Sequence, residues 1–254
     1  IDKVKVLVVG DSGVGKTSFT NLICNNEALT SPGWTVGCSV EVKLHEYKEG
    51  TPSQNTFFIE FWDIGGSISH KNTRGVFYTP TNGIILVHDL TNRKSHENLQ
   101  MWLYEILNKD GKDVYKGSDV YDIDPEQFLE FQNLQIPILV VGTKLDLLDD
   151  NHKNKMLNKS LPGSIAERCG TDEICLNCHE PRALAAGTSD AVKLSRFFDK
   201  VIERKYYSRL DTGRKYATPF SSPITTPFVS PFGSIASPPI YINTSQLQQN
   251  QQME

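Results

Sequence analysis

The feature that most constrains this chain is Gly10-Asp11-Ser12-Gly13-Val14-Gly15-Lys16-Thr17, set directly behind the apolar run Val4 to Val9. It satisfies G-x-x-x-x-G-K-[ST] between a buried strand and a helix, the arrangement in which backbone N–H groups close around phosphate oxygens. The helix beginning near Lys16 adds its dipole, the Lys16 amine neutralises β- and γ-phosphate charge, and Thr17 offers a hydroxyl to Mg²⁺. Gly13, Val14, Gly15, Lys16, Thr17 and Ser18 are therefore candidate nucleotide-binding residues. A loop of this kind needs a strand delivered into a helix, which fixes the fold class as α/β.

The rest of the chain keeps that rhythm. Strand-like runs Val4 to Val9, Phe57 to Trp62, Gly83 to His88, Ile136 to Val141 and Glu173 to Cys178 alternate with helical patterns. Val40 to Tyr47 alternates apolar and polar residues and is joined by Lys48-Glu49-Gly50-Thr51-Pro52 to the strand at Phe57, which predicts an antiparallel hairpin on the sheet edge. The expected sheet is mixed, mostly parallel and six-stranded, with helices on both faces. The last helix, Ser189 to about Tyr207, carries Val192, Phe197, Val201 and Ile202 as its apolar side.

The folded domain is expected to span residues 1–207, with a polar, acidic surface insertion at about 109–135. Residues 208–254 are rich in Pro, Ser, Thr and Gln and are expected to be disordered. Within them Pro219, Pro223, Pro227 and Pro231 recur every four residues, and Thr218, Ser222, Thr226, Ser230 and Ser237 each precede a proline, a pattern open to phosphorylation.

A formal net charge of −4, with no basic run, excludes a nucleic-acid partner held by bulk charge. The five cysteines follow no disulfide framework, which points to a reducing, cytoplasmic setting. The apolar runs are too short to cross a bilayer. The final cysteine is Cys178, so no C-terminal prenylation anchor is expected.

Gly142-Thr143-Lys144-Leu145-Asp146 selects the base. Asp146 can accept from N1–H and the 2-amino group of guanine, whereas adenine would leave its carboxylate unpaired. Lys144 would lay its methylenes over the base and reach back to the phosphate loop.

With these motifs in order, residues from about Val4 to Tyr207 resemble the Ras superfamily of small GTPases and its Rab branch, through "GDSGVGKTS", "TVG", "WDIGG", "VHDLTN" and "IPILVVGTKLD". "WTVGCSVEV", "HEYKEGTP", "WDIGGS" and "AVKLSRFFDKVIE" look most like the Rab-like protein 3 subfamily. That resemblance implies bound GTP or GDP with Mg²⁺. It implies that Thr35 senses Mg²⁺ and γ-phosphate, that Asp63 holds Mg²⁺ through water, and that Gly66 donates its N–H to the γ-phosphate. It further implies a homodimer, protein effectors, and a role in handling other small GTPases, including their prenylation and growth signalling.

The sequence departs from the family in three places. Ser67 replaces the glutamine that orients the attacking water, so hydrolysis is expected to be slow; His70 is in sequence reach but reads as a solvated bystander. Ala28 stands where many relatives cover guanine with an aromatic, leaving Trp34 the nearest one. Asn177, Cys178 and His179 stand where a Ser-Ala-Lys turn is usual, so the first two are candidate base contacts; an alternative alignment puts Ala185-Ala186-Gly187 there. Cys175, Cys178 and His179, with Cys169, lack two separated ligand couples and read as buried or guanine-facing thiols rather than zinc ligands.

The favoured reading is a GTP-binding switch of weak intrinsic activity that works by binding proteins. Two alternatives remain: a GTPase cycling with an activating protein in vesicle traffic, and an interaction module with a permanently bound nucleotide.

Overall fold

In β1, Val4, Val6 and Val8 belong to one core cluster and Leu7 and Val9 to another, and all five are at 0% exposure. A strand apolar on both sides must be covered on both sides, and the structure supplies that cover. The structure is a computed structural model that describes residues 2–107, 136–150, 153 and 164–208. The strands are β1 (Asp2–Val9), β2 (Cys38–Tyr47), β3 (Asn55–Ile64), β4 (Gly83–Asp89), β5 (Ile138–Thr143) and β6 (Glu173–Cys175). They lie in one sheet in the order β2-β3-β1-β4-β5-β6. β2 and β3 form the expected antiparallel hairpin, and all other pairings are parallel.

The described helices are α1 (Lys16–Asn25), α2 (Lys71–Arg74), α3 (Arg93–Glu97), α4 (Leu99–Leu107), α5 (Ile165–Cys169) and α6 (Ser189–Ile202). Phe19 and Leu22 of α1 join Phe197, Phe198 and Val201 of α6 on one face of the sheet. Leu99, Trp102 and Leu103 of α4 join Ile165 of α5 on the other. The chain leaves β1 for β3 on one side and β4 on the other, so the winding reverses at β1. Ligands of open α/β sheets bind at the carboxyl ends of the strands beside such a reversal. The phosphate loop leaves β1 there.

The insertion expected at 109–135 lies outside the described residues, as does the tail beyond Ser208. Three expectations are corrected. β6 stops at Cys175; Leu176 still pairs with the end of β5, its N–H donating to the Gly142 carbonyl at 2.9 Å, but Cys178 is in a loop. Cys175 and Cys178 therefore do not alternate along one strand. β5 begins at Ile138, after Pro137, which has no N–H for a ladder. Val192 is 51% exposed, because the buried stripe of α6 runs Leu194, Phe197, Phe198, Val201, Ile202 and Val192 sits about half a turn away from it. α6 ends at Ile202 and continues as a π-helical turn over Glu203–Tyr207.

β2 inverts the usual pattern of a half-buried strand. Val40, Val42 and Leu44 are 47%, 49% and 55% exposed, while His45 and Tyr47 are buried. The inward residues meet α6 and its extension through polar atoms: His45 Nε2 lies 2.8 Å from Asp199 Oδ1, and Tyr47 Oη donates to Glu203 Oε1 at 3.2 Å. The apolar side of the edge strand is thus left facing outward.

Candidate nucleotide site

Helix α1 starts immediately behind Gly15, whose φ of +96° a side chain would strain; a Cβ there would also press on Thr143 at 3.3 Å. This conformation aims the first turn of α1 into the loop. Lys16 is 6% exposed, and its amine donates to the carbonyls of Gly10 at 2.9 Å and Asp11 at 2.8 Å. Burial pushes its pKa down to about 8, against the pull of Asp63 and Asp11. The amine is held over the loop by two carbonyls, and a phosphate would give it the countercharge it lacks.

Thr17, Thr35 and Asp63 converge from α1, the loop before β2, and β3. Thr17 Oγ1 donates to Asp63 Oδ2 at 2.5 Å, Thr35 Oγ1 lies 3.0 Å from Thr17 Oγ1, and Thr35 Oγ1 donates to Asp63 Oδ2 at 3.3 Å. Asp63 is 2% exposed and its other oxygen, Oδ1, is buried without a hydrogen-bond partner among the described residues. Burial raises the Asp63 carboxyl pKa, and the Thr17 hydroxyl and Lys16 amine counter it only in part. A buried carboxylate with an unsatisfied oxygen and two adjacent hydroxyls fits a hard, oxygen-seeking cation such as Mg²⁺.

The two flanking loops are fastened together and to the phosphate loop. Gly65 N–H donates to the Gly37 carbonyl at 2.9 Å, and a Cβ on Gly65 would fall 2.6 Å from the Thr35 carbonyl oxygen. A Cβ on Gly66 would fall 2.5 Å from Ser12 N and 2.7 Å from the Gly10 carbonyl oxygen. Only glycine lets this segment lie across the phosphate loop.

Farther along the cleft, Lys144 adopts φ +61° at the end of β5 and its amine donates to Asp89 Oδ2 at 2.6 Å. This corrects the expectation that the amine reaches the phosphate loop. Burial alone would raise the Asp89 carboxyl, but the Lys144 amine and the Thr91 donors outweigh it and leave the pKa lowered. The brace on the phosphate loop comes instead from Thr143, whose hydroxyl donates to the Val14 carbonyl and lies 3.1 Å from the His88 carbonyl. Thr143 belongs to the quoted Gly142-to-Asp146 run, so the motif held the signal without revealing the role.

A cleft of about 570 Å³ gathers Gly13, Gly15, Lys16, Thr17, Ser18, Thr35, Gly66, Ser67, Lys144, Asp146 and Cys178. Val14 and Leu145 do not line it: Val14 is buried, and Leu145 N–H donates to the Leu176 carbonyl at 3.3 Å. Asn177 is outside too, its Oδ1 accepting from His179 N–H at 2.8 Å. That contact turns the loop so that Cys178 and His179 face the cleft, and Ala185-Ala186-Gly187 does not reach it. Burial, then the nearby Asp146 carboxylate, push the Cys178 thiol up to about 12. Trp34 lines the cleft at 91% exposure, whereas Ala28 and His70 do not line it. Thr30, Pro32, Gly33 and Leu147 also line it; no pattern in the sequence marked them.

A mostly parallel sheet with a phosphate loop at its winding reversal, a cluster of oxygen ligands beside that loop, and a carboxylate farther along the cleft is the arrangement of a small-GTPase domain. The family described as Ras of Complex, Roc, domain of DAPkinase matches residues 5–115. Rab-like protein 3 of Bos taurus is 54% identical over 217 residues, covering 82% of this chain and 88% of the relative. Rab-like protein 3 of Homo sapiens is 53% identical over the same length and coverage. An Arabidopsis thaliana protein named Small GTPase LIP1 is 33% identical over 229 residues, covering 81% of this chain and 64% of its own. The chain belongs to the Rab-like protein 3 family of the Ras superfamily.

Proposed function

We propose that this chain is a guanine-nucleotide switch with slow intrinsic hydrolysis that signals through nucleotide-dependent protein binding. The observation that carries the reading is the convergence of Thr35 and Gly66, one from each flanking loop, on the phosphate end of the cleft. A γ-phosphate contacting both would fix both loops, and its loss would free them. Guanine is read by Asp146, with Lys144 and Cys178 beside it. Thr17, Thr35 and Asp63 would hold Mg²⁺, which when bound neutralises phosphate charge.

Slow hydrolysis follows from Ser67. Its Oγ lies 2.7 Å from Ser69 Oγ, and a serine is too short to orient a water against the γ-phosphate. Near the two loops, Trp34, Val36, Ile68 and Val76 are all strongly exposed. Apolar side chains on segments whose position the nucleotide sets are suited to effector docking. The outward Val40, Val42 and Leu44 of β2 offer a further surface, available to a second copy in the homodimer that the family resemblance implies. Handling of other small GTPases, including their prenylation, rests on that resemblance alone. A cytoplasmic location is part of the same proposal; no helix among the described residues is long and apolar enough to cross a membrane.

Single-turnover hydrolysis tests the proposal. The natural chain is expected to turn over below the ~10⁻⁴ to 10⁻³ per second of small GTPases that keep the glutamine. Ser67→Gln is expected to raise that rate with GTP affinity unchanged. Rapid unaided hydrolysis by the natural chain would overturn it.

A further inference from the structure

His88 near the end of β4, His96 in α3 and Glu173 at the start of β6 are far apart in sequence, yet one donor atom from each lies within 4.8 Å of the other two. His88 is 2% exposed, and its Nε2 is 3.3 Å from Glu173 Oε1. The two imidazoles meet edge to face with centroids 4.8 Å apart. His88 Nδ1 and His96 Nε2 are both buried with no hydrogen-bond partner among the described residues.

A buried polar nitrogen left unpaired costs ~1–3 kcal/mol, and most buried polar groups are paired. Two such nitrogens on adjoining rings, with the other nitrogen of His88 3.3 Å from the Glu173 carboxylate, call for a partner. A divalent ion that takes imidazole nitrogens and a carboxylate together would supply one. The backbone leaves room for the His88 ring: a Cβ on Gly142 would come 3.2 Å from its Nε2.

We propose that His88, His96 and Glu173 form a binding site for a divalent transition-metal ion of the zinc type. Its nitrogen-rich donor set distinguishes it from the all-oxygen cluster of Thr17, Thr35 and Asp63. A bound ion would tie β4 to α3 and β6. Asp89, adjacent to His88, holds Lys144, and β6 leads directly into the Cys178-His179 loop, so the ion would brace the base end of the cleft.

The test is titration of the full chain with Co²⁺ at neutral pH in excess Mg²⁺, with and without GDP, read by its visible absorption. One Co²⁺ per chain is expected, without thiolate charge-transfer absorption, since the donor set of two imidazoles and a carboxylate contains no cysteine. Zn²⁺ should displace it. His96→Ala and Glu173→Gln should each weaken binding at least about tenfold, the scale on which disturbing a metal's supporting groups is felt. Circular dichroism melts of both variants check that they fold. Equal Co²⁺ binding by folded His96→Ala, a thiolate-type spectrum, or no uptake beyond Mg²⁺-displaceable binding would overturn the site. Because the readout does not require GTP turnover, it stands or falls apart from the switch function.

Discussion

The guanidinium carbon of Arg74 lies 3.8 Å from the centroid of the Trp102 ring, and the indole N–H of that same ring donates to Asp11 Oδ1 at 2.9 Å. Asp11 Oδ2 takes a second bond from Asn98 Nδ2 at 2.7 Å. A phosphate-loop side chain is thereby connected through α4 to the segment that follows Gly66. Arg74 in turn pairs with Glu105, Nε to Oε1 at 2.6 Å and Nη2 to Oε2 at 2.5 Å, and Tyr78 Oη donates to Glu105 Oε1 at 2.6 Å.

Glu105 is the member of this network whose loss leaves a buried charge alone. Arg74 and Glu105 side chains are 7% and 19% exposed. Glu105→Ala is expected to destabilise the fold by about 3 kcal/mol or more, as for breaking a buried ion pair from one side. Tyr78→Phe removes only one hydrogen bond and is expected to cost about 1 kcal/mol. Chemical denaturation of the two variants checks the contrast, which disappears if the pair is solvated.

Lys16 makes nucleotide binding pH-dependent. Its pKa is lowered from 10.5 to about 8, so between those values the folded, nucleotide-free chain binds fewer protons than the unfolded one and gains stability as pH rises. Phosphate favours the charged amine and reverses this. Binding is expected to take up close to one proton at about pH 9 and little at pH 7, with affinity falling as pH rises above about 8. Calorimetry in buffers of different ionisation enthalpy measures the uptake directly.

Gly66→Ala is expected to leave GDP affinity nearly intact while abolishing the difference between GDP and GTP states. The added Cβ would meet Ser12 N at 2.5 Å and lift the segment off the phosphate loop. Limited proteolysis in each nucleotide reads the outcome: the natural chain should show nucleotide-dependent protection, and the variant none.

Asp146→Asn is expected to lose at least ~2 kcal/mol of GTP affinity, about thirtyfold, because a charged acceptor for two guanine donors is replaced by a mismatched amide. Asn177→Ala, which changes a loop contact outside the cleft, is expected to do less. Competition binding against a fluorescent guanine nucleotide ranks the two, and equal losses would contradict the placement of the base.

Local sequence alone determined the frame of this protein. Continuous apolar runs specify buried parallel strands, and G-x-x-x-x-G-K-[ST] between strand and helix specifies a phosphate loop, because both signals are carried by neighbouring residues. Thr35, Asp63 and Gly66 are legible only through family resemblance, since two are ordinary loop residues and Asp63 an ordinary residue near the end of β3 until the fold brings them to Thr17 or Ser12. Only the tertiary structure decided what depends on side chains meeting across the sheet. It put the Lys144 amine on Asp89, turned Cys178 and His179 but not Asn177 into the cleft, and inverted β2 so that Val40, Val42 and Leu44 face outward. It also joined Asp11 to Trp102 and His88 to His96 and Glu173, contacts between residues whose spacing in the chain carries no periodic signal. Short-range pattern encodes backbone conformation and burial, whereas the partner of a polar side chain is selected by packing between distant segments, which no window of sequence contains.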